Sequence, residues 1–250
     1  MAGHSKWANI KRKKEREDAG RGKLFTKAAR RITIAAREGG GDPDANFRLR
    51  IAIDAAKAIN MPNDNIQRAI KRGTGELDSG SVFEETIYEA YGPGGIALLI
   101  EIATDNRNRT ISEIRYILSK YNASLGEAGC VAWMFERVGL VEADGDLDED
   151  QLLLTALEAG ATDAEKGEDG FEITCEAENL QQVEEALNRA GLKVKNAEIT
   201  RKPKNTIPVS LEQADKIADL VEALEENDDV QAVYTNMELT EEIITHLESK

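Results

Sequence analysis

The chain has 250 residues, 41% of them hydrophobic and 32% charged, which is enough to bury a sizeable core in one to three domains. Its formal net charge of −15 is unevenly distributed: residues 1–75 carry 18 Lys and Arg against 8 Asp and Glu, a net of +10, and residues 76–250 carry 14 against 39, a net of −25. No apolar run approaches the ~20 residues that span a bilayer, the start lacks the apolar stretch of a secretory signal, and the two cysteines form no C-x-x-C pair, which leaves the cytosol as the expected compartment and no zinc finger or redox pair.

Residues 1–22 read as a basic arm. Lys6, Trp7, Lys11, Arg12, Lys13 and Lys14 lie in its densest part. Four consecutive cations repel one another and call for an anionic partner. An indole among cations suits stacking on a base or packing into a groove, although Trp7 capping this protein's own core is the plainer alternative.

Residues 23–75 read as a helical nucleic-acid-binding domain. Over 24–38, Leu24, Phe25, Ala28, Ile32, Ala35 and Ala36 share one side of a helix at about 100° per residue. Lys23, Lys27, Arg30, Arg31 and Arg37 fall on the other and are expected to face phosphates. Gly39-Gly40-Gly41-Asp42-Pro43 stops this helix. A second runs from about Asn46 to Ala58. A third, about Asp64 to Lys71, turns Ile66, Ala69 and Ile70 inward and leaves Arg68, Lys71 and Arg72 outside. Three short helices with tight connections predict a small bundle.

The texture changes after Gly73-Thr74-Gly75. Thr86–Tyr91 and Ile96–Ile102 read as paired strands joined by Gly92-Pro93-Gly94-Gly95. A helix with Ile111, Ile114, Ile117 and Leu118 follows. Residues 133–202 read as β-α-β-β-α-β, the ferredoxin-like order. Thr206–Val209 as strand, Leu211–Glu225 as helix and Val230–Tyr234 as strand cannot form a stable sheet alone, but could complete the one begun at 86–102. The expected fold is therefore α+β: a three-helix bundle, then two ferredoxin-like-type α/β domains, one (131–205) inserted in the other (80–130 plus 206–250). A short helix over 240–248 closes the chain.

A catalytic centre is hard to build from these residues. Only His4 and His246 exist, and a terminal histidine is most simply solvent-exposed. No G-x-S-x-G, Walker A or calcium-loop spacing appears. Cys130 and Cys175 read as inert buried thiols. No enzyme activity, cofactor or metal is expected. Thr104-Asp105-Asn106-Arg107-Asn108-Arg109-Thr110 reads as a helix start with a capping Asp105 or Asn106. Two arginines at the positive end of a helix dipole are unfavourable there, which marks Arg107 and Arg109 as candidates for contact with a partner or another domain.

Four motifs together resemble the YebC/PmpR family: Ala2-Gly3-His4-Ser5-Lys6-Trp7-Ala8-Asn9-Ile10, Asn60-Met61-Pro62-Asn63-Asp64-Asn65-Ile66, Tyr91-Gly92-Pro93-Gly94-Gly95, and Thr104–Thr110. The resemblance spans the chain, in order. It implies a helical bundle and two α/β domains, one inserted in the other, and no enzymatic activity. The family is generally labelled a probable transcriptional regulator, and some members bind DNA. Mitochondrial relatives look like translational activators, and bacterial members are linked to ribosomes stalled at proline-rich stretches. The implied partner is nucleic acid, DNA or RNA, with the ribosome as the alternative. A monomer with no membrane contact is expected. The basic bundle serves DNA and RNA alike, because phosphate contacts carry no sequence information. The −25 of residues 76–250 would be repelled by an extended polyanion, so a module that contacts a protein through those residues is a third reading.

Overall fold

The first three described elements are helices: α1 (Arg21–Gly39), α2 (Phe47–Ala58) and α3 (Asn63–Gly73), in a computed structural model that describes residues 21–77, 82–145, 148–167 and 170–249. Lys6, Trp7, Lys11, Arg12, Lys13 and Lys14 lie outside the described residues. Gly40, at φ 87°, lets the chain leave α1 in a backbone region that other residues rarely adopt. Asn46 then caps α2 by accepting from Leu49 N–H, while its amide donates to the Ala35 and Gly40 carbonyls at 2.8 Å each. One buried side chain thus starts α2 and fixes it to the end of α1.

Ile32, Leu49, Ile53, Met61, Ile66 and Ile70 fill the bundle core together with small residues such as Ala36, Ala56 and Ala69. The small residues let α1 and α3 approach closely. A Cβ built on Gly73 would stand 2.5 Å from the Thr33 carbonyl oxygen and 2.6 Å from the Ala36 Cβ. Helix propensity alone would make Gly73→Ala stabilising by up to ~1 kcal/mol. Overpacking against backbone should win, and the variant is expected to lose about 1–3 kcal/mol, read as a lower thermal midpoint.

The chain continues through β1 (Glu84–Tyr91), β2 (Ala97–Thr104), α4 (Arg107–Lys120) and the two-residue β3 (Ser124–Leu125). β1 and β2 are antiparallel, from Glu84↔Thr104 at one end to Tyr91↔Ala97 at the other. A 3₁₀ turn over Pro93–Gly95 joins them. Next come β4 (Phe135–Asp144), α5 (Glu149–Glu158), β5 (Ala161–Gly167), β6 (Gly170–Glu176), α6 (Leu180–Arg189) and β7 (Lys193–Pro203). Their sheet runs β5-β6-β4-β7, the strand order of a split β-α-β ferredoxin-like unit. α7 (Leu211–Glu225), β8 (Val230–Thr235) and α8 (Glu241–Glu248) finish the chain.

β8 pairs with β2, giving the first sheet the order β3-β1-β2-β8. A strand from the end of the chain thereby completes a sheet begun before residue 90. Leu98, Leu99, Ile100 and Ile102 of β2 are buried on both faces of that sheet, as expected for a central strand. The described residues of 135–202 form one compact unit, and those of 21–134 with 203–249 form the other. Within the latter, Lys204 N–H donates to the Met134 carbonyl at 2.8 Å, where the chain returns.

Three local expectations are corrected. Thr206–Val209 is not a strand: Ile207 makes a single bridge to Met237, because Pro208 has no N–H to extend a ladder. Cys130 is half-buried, whereas Cys175 is buried and its thiol is pushed up to about 11 by burial and the neighbouring Glu176 charge. His246 is not free in solvent: its Nε2 lies 2.9 Å from Asp215 Oδ1 and ties α8 to α7. No described helix is long and apolar enough to cross a membrane.

Candidate nucleic-acid interface

Much of the basic face of α1 is turned against the α/β domain. Ile34, four residues after Arg30 on that face, is only 4% exposed. Lys27 Nζ donates to the Glu225 carbonyl at 2.5 Å, and Arg37 Nη1 to the Phe83 carbonyl at 3.1 Å. Arg31, which remains exposed, reaches the Gln231 carbonyl at 3.1 Å. Arg30 reaches the Ala103 and Asp228 carbonyls at 3.1 and 2.6 Å, and its guanidinium lies 5.0 Å from the Phe83 ring centroid. These cations dock the bundle on the α/β domain: Lys27, Arg30 and Arg37, expected to face phosphates, are half-buried against carbonyls of this chain. For Lys27 and Arg30 the acceptors include orphan carbonyls at the end of α7 and in the loop before β8.

Asp229 is the centre of this dock. Its side chain is 3% exposed. Oδ1 takes Arg30 at 2.6 Å, and Oδ2 takes Arg109 at 2.7 Å, Thr110 Oγ1 at 2.6 Å and Thr104 Oγ1 at 3.1 Å. Burial pushes its pKa up, but the bonds from Arg109, Thr110 and Arg30 outweigh burial and hold the carboxyl below the usual aspartate value. Three segments remote in sequence therefore meet on one carboxylate.

The same geometry explains the two arginines at the start of α4. Asn106 caps the helix by accepting from Arg109 N–H at 3.1 Å. Arg109 bonds Asp105 and Asp229, and Arg107 Nε lies 3.0 Å from Glu84. Nearby carboxylates offset the unfavourable helix dipole. Contacts within the α/β domain engage Arg109, while both side chains keep solvent exposure, 58% for Arg107 and 43% for Arg109.

The cations left facing solvent belong chiefly to α3. Ile66, Ala69 and Ile70 are buried, so Arg68, Lys71 and Arg72 occupy the opposite arc and are exposed. Among the described residues these three and Lys23 hold no ion pair. Arg48, also exposed, is engaged by Glu38 and Glu85. A second buried carboxylate was not anticipated. Glu89 of β1 accepts from Gly129, Val131 and Ala132 N–H at 2.5, 2.6 and 2.7 Å. Burial raises its pKa, but the three backbone bonds outweigh that and lower it.

A helical bundle docked on a discontinuous α/β domain, with a ferredoxin-like unit inserted in the chain, defines the class of this α+β protein. The chain belongs to the TACO1/YebC family: residues 5–76 match the model for the TACO1/YebC protein N-terminal domain, and residues 83–237 match that for the second and third domain. A probable transcriptional regulatory protein of Thermoanaerobacter pseudethanolicus is 54% identical over 244 residues, covering 97% of this chain and 99% of its own. Another, of Syntrophomonas wolfei, is 54% identical over 252 residues, covering 99% and 100%. The crystal structure of a conserved hypothetical protein, Aq1575 from Aquifex aeolicus, superposes with a TM-score of 0.80 at 48% identity, covering 90% of this chain and 93% of that one.

Proposed function

We propose that this protein is a non-enzymatic regulator of gene expression that binds nucleic acid through phosphate contacts made by the outer face of α3 and by the basic arm. The observation that carries the reading is the row Arg68, Lys71 and Arg72: three exposed cations on one face of a helix packed in the bundle, without ion pairs among the described residues. Lys23 extends the surface. The names of the relatives support transcription and hence DNA as the target.

A second reading, a translation factor acting on ribosomal RNA, is favoured by a different observation. The α3 face offers three cations and only two exposed amides, Asn63 and Gln67, with which to read base edges. Phosphate contacts alone serve a structured RNA as well as a duplex.

Replacing Arg68, Lys71 and Arg72 with alanine in the full chain should weaken binding about equally across sequences. The dependence of log affinity on log salt should flatten by roughly one unit per cation removed. Unchanged salt dependence would remove α3 from the interface. Crosslinking in cells, followed by sequencing of bound DNA and RNA in parallel, separates the two targets.

A further inference from the structure

The two ends of the β1–β2 pair differ. The end at Thr104 is covered by the bundle dock. At the other end, where Tyr91-Gly92-Pro93-Gly94-Gly95 turns the chain, Tyr91 is 38% exposed and Trp133 is 62% exposed. Both rings are anchored on one atom. Tyr91 Oη lies 3.3 Å, and Trp133 Nε1 3.1 Å, from the carbonyl oxygen of Cys130. The loop carrying that carbonyl is pinned by the Glu89 carboxylate through Gly129, Val131 and Ala132.

With their polar atoms tied to a shared acceptor, the two side chains expose chiefly aromatic surface. Their conformations are already set, so a flat partner could be taken with little further ordering. The charge beside them is also unusual for this part of the chain. Between Glu198 and Glu212 there is no acid, and Lys204 falls in that gap. The Lys204 N–H bond to the Met134 carbonyl sets Lys204 beside the residue that follows Trp133. Rings that stack bases, flanked by cations that follow a phosphate backbone, are the pattern of single-strand binding.

We infer that Tyr91 and Trp133 form a stacking platform for unpaired bases of a single-stranded nucleic acid, with Lys204 on the adjoining phosphate. The inference rests on the nucleic-acid-binding reading and adds a strand preference to it. A duplex keeps its base faces stacked on each other, whereas a single strand can present them.

The chain has two tryptophans, so Trp7→Phe in the full-length protein leaves Trp133 as the sole indole reporter. Oligouridylate of about 20 nucleotides should quench its emission, and a duplex of equal length should not. Trp133→Ala should weaken oligouridylate binding about tenfold while leaving duplex affinity unchanged, and Trp133→Phe, which keeps a ring, should retain most of the affinity. Absence of quenching with no loss in Trp133→Ala, or an equal loss on single strand and duplex, overturns the platform. So does self-association that Trp133→Ala abolishes without any effect on oligonucleotide binding, which would assign the rings to a second copy of the chain. If the Arg68, Lys71 and Arg72 replacements weaken both probes while Trp133→Ala weakens neither, the platform falls and the basic face stands. If the unmodified protein binds neither probe, both fall.

Discussion

Asp229→Asn is expected to destabilise the protein by about 3–5 kcal/mol, the usual range when one partner of a buried ion pair is removed. The amide would place an N–H₂ group where Arg30, Arg109 or Thr110 now donates. Arg30, whose side chain is 14% exposed, would keep its charge with no counter-ion. Arg109 can turn to solvent, which favours the lower end of the range. Urea unfolding at pH 7 measures the loss. The double variant Arg30→Met with Asp229→Asn should recover part of it, because an apolar replacement removes the stranded charge. Loss of the same size in single and double variants would show that the pair is not coupled. The pH dependence has a definite sign. The folded carboxyl titrates below the unfolded value of about 3.9, so its stabilisation is complete above that pH and disappears as pH falls through the folded pKa. The gap between native protein and variant should therefore be flat near neutrality and close below about pH 4.

Glu89→Gln is expected to cost on the order of 3 kcal/mol, because bonds from backbone N–H to a charged acceptor are worth about 1.5–3 kcal/mol each. The carboxylate of Glu89 accepts from three amides, and glutamine offers one oxygen and turns a donor group toward the others. The consequence should be local as well as global. Amide exchange at Gly129, Val131 and Ala132 should accelerate more than exchange in the bundle. In the Trp7→Phe background, Trp133 emission should become more mobile by anisotropy. Exchange rates at those amides equal to those of the native protein would show that the loop holds itself without the carboxylate.

Much of the fold is legible from residue periodicity. The α7 boundaries, Leu211 to Glu225, follow from an apolar stripe behind a serine cap. The ferredoxin-like order follows from alternating strand and helix patterns between 135 and 203. The surface of the bundle is less legible. Periodicity sorts α1 into an apolar and a basic side, but Ile34 sits in the middle of the basic side and is buried there. Ile32-Thr33-Ile34-Ala35-Ala36 is closed on every side, and five consecutive residues without a charge are the available sign of it. Asp229 gives no comparable sign. It follows Asn227 and Asp228 in a short turn and reads as one more acid in an acidic chain. Its role depends on partners near residues 30 and 109, which no local window contains. The anomaly at Arg107 and Arg109 was visible as two cations at the wrong end of a helix, but only the fold supplies Glu84 and Asp229 as the compensation. Glu89 was hidden for a related reason: an acid in a strand normally faces water, and here it faces amide hydrogens 40 to 43 positions away.

The Arg30–Asp229 pair joins positions 199 apart, so the bundle cannot be fastened until almost the whole polypeptide has been made. The ferredoxin-like unit closes its sheet from strands between residues 135 and 203 and can do so earlier in synthesis. Long-range closure of this kind slows folding. During that interval Lys27 and Arg30 are without the Glu225 and Asp228 carbonyls and the Asp229 carboxylate that later engage them. A nascent chain is therefore more cationic on its exposed helical face than the finished molecule. A product truncated before residue 229 would keep that character permanently, and refolding from denaturant should show the docking of α1 as the slowest step.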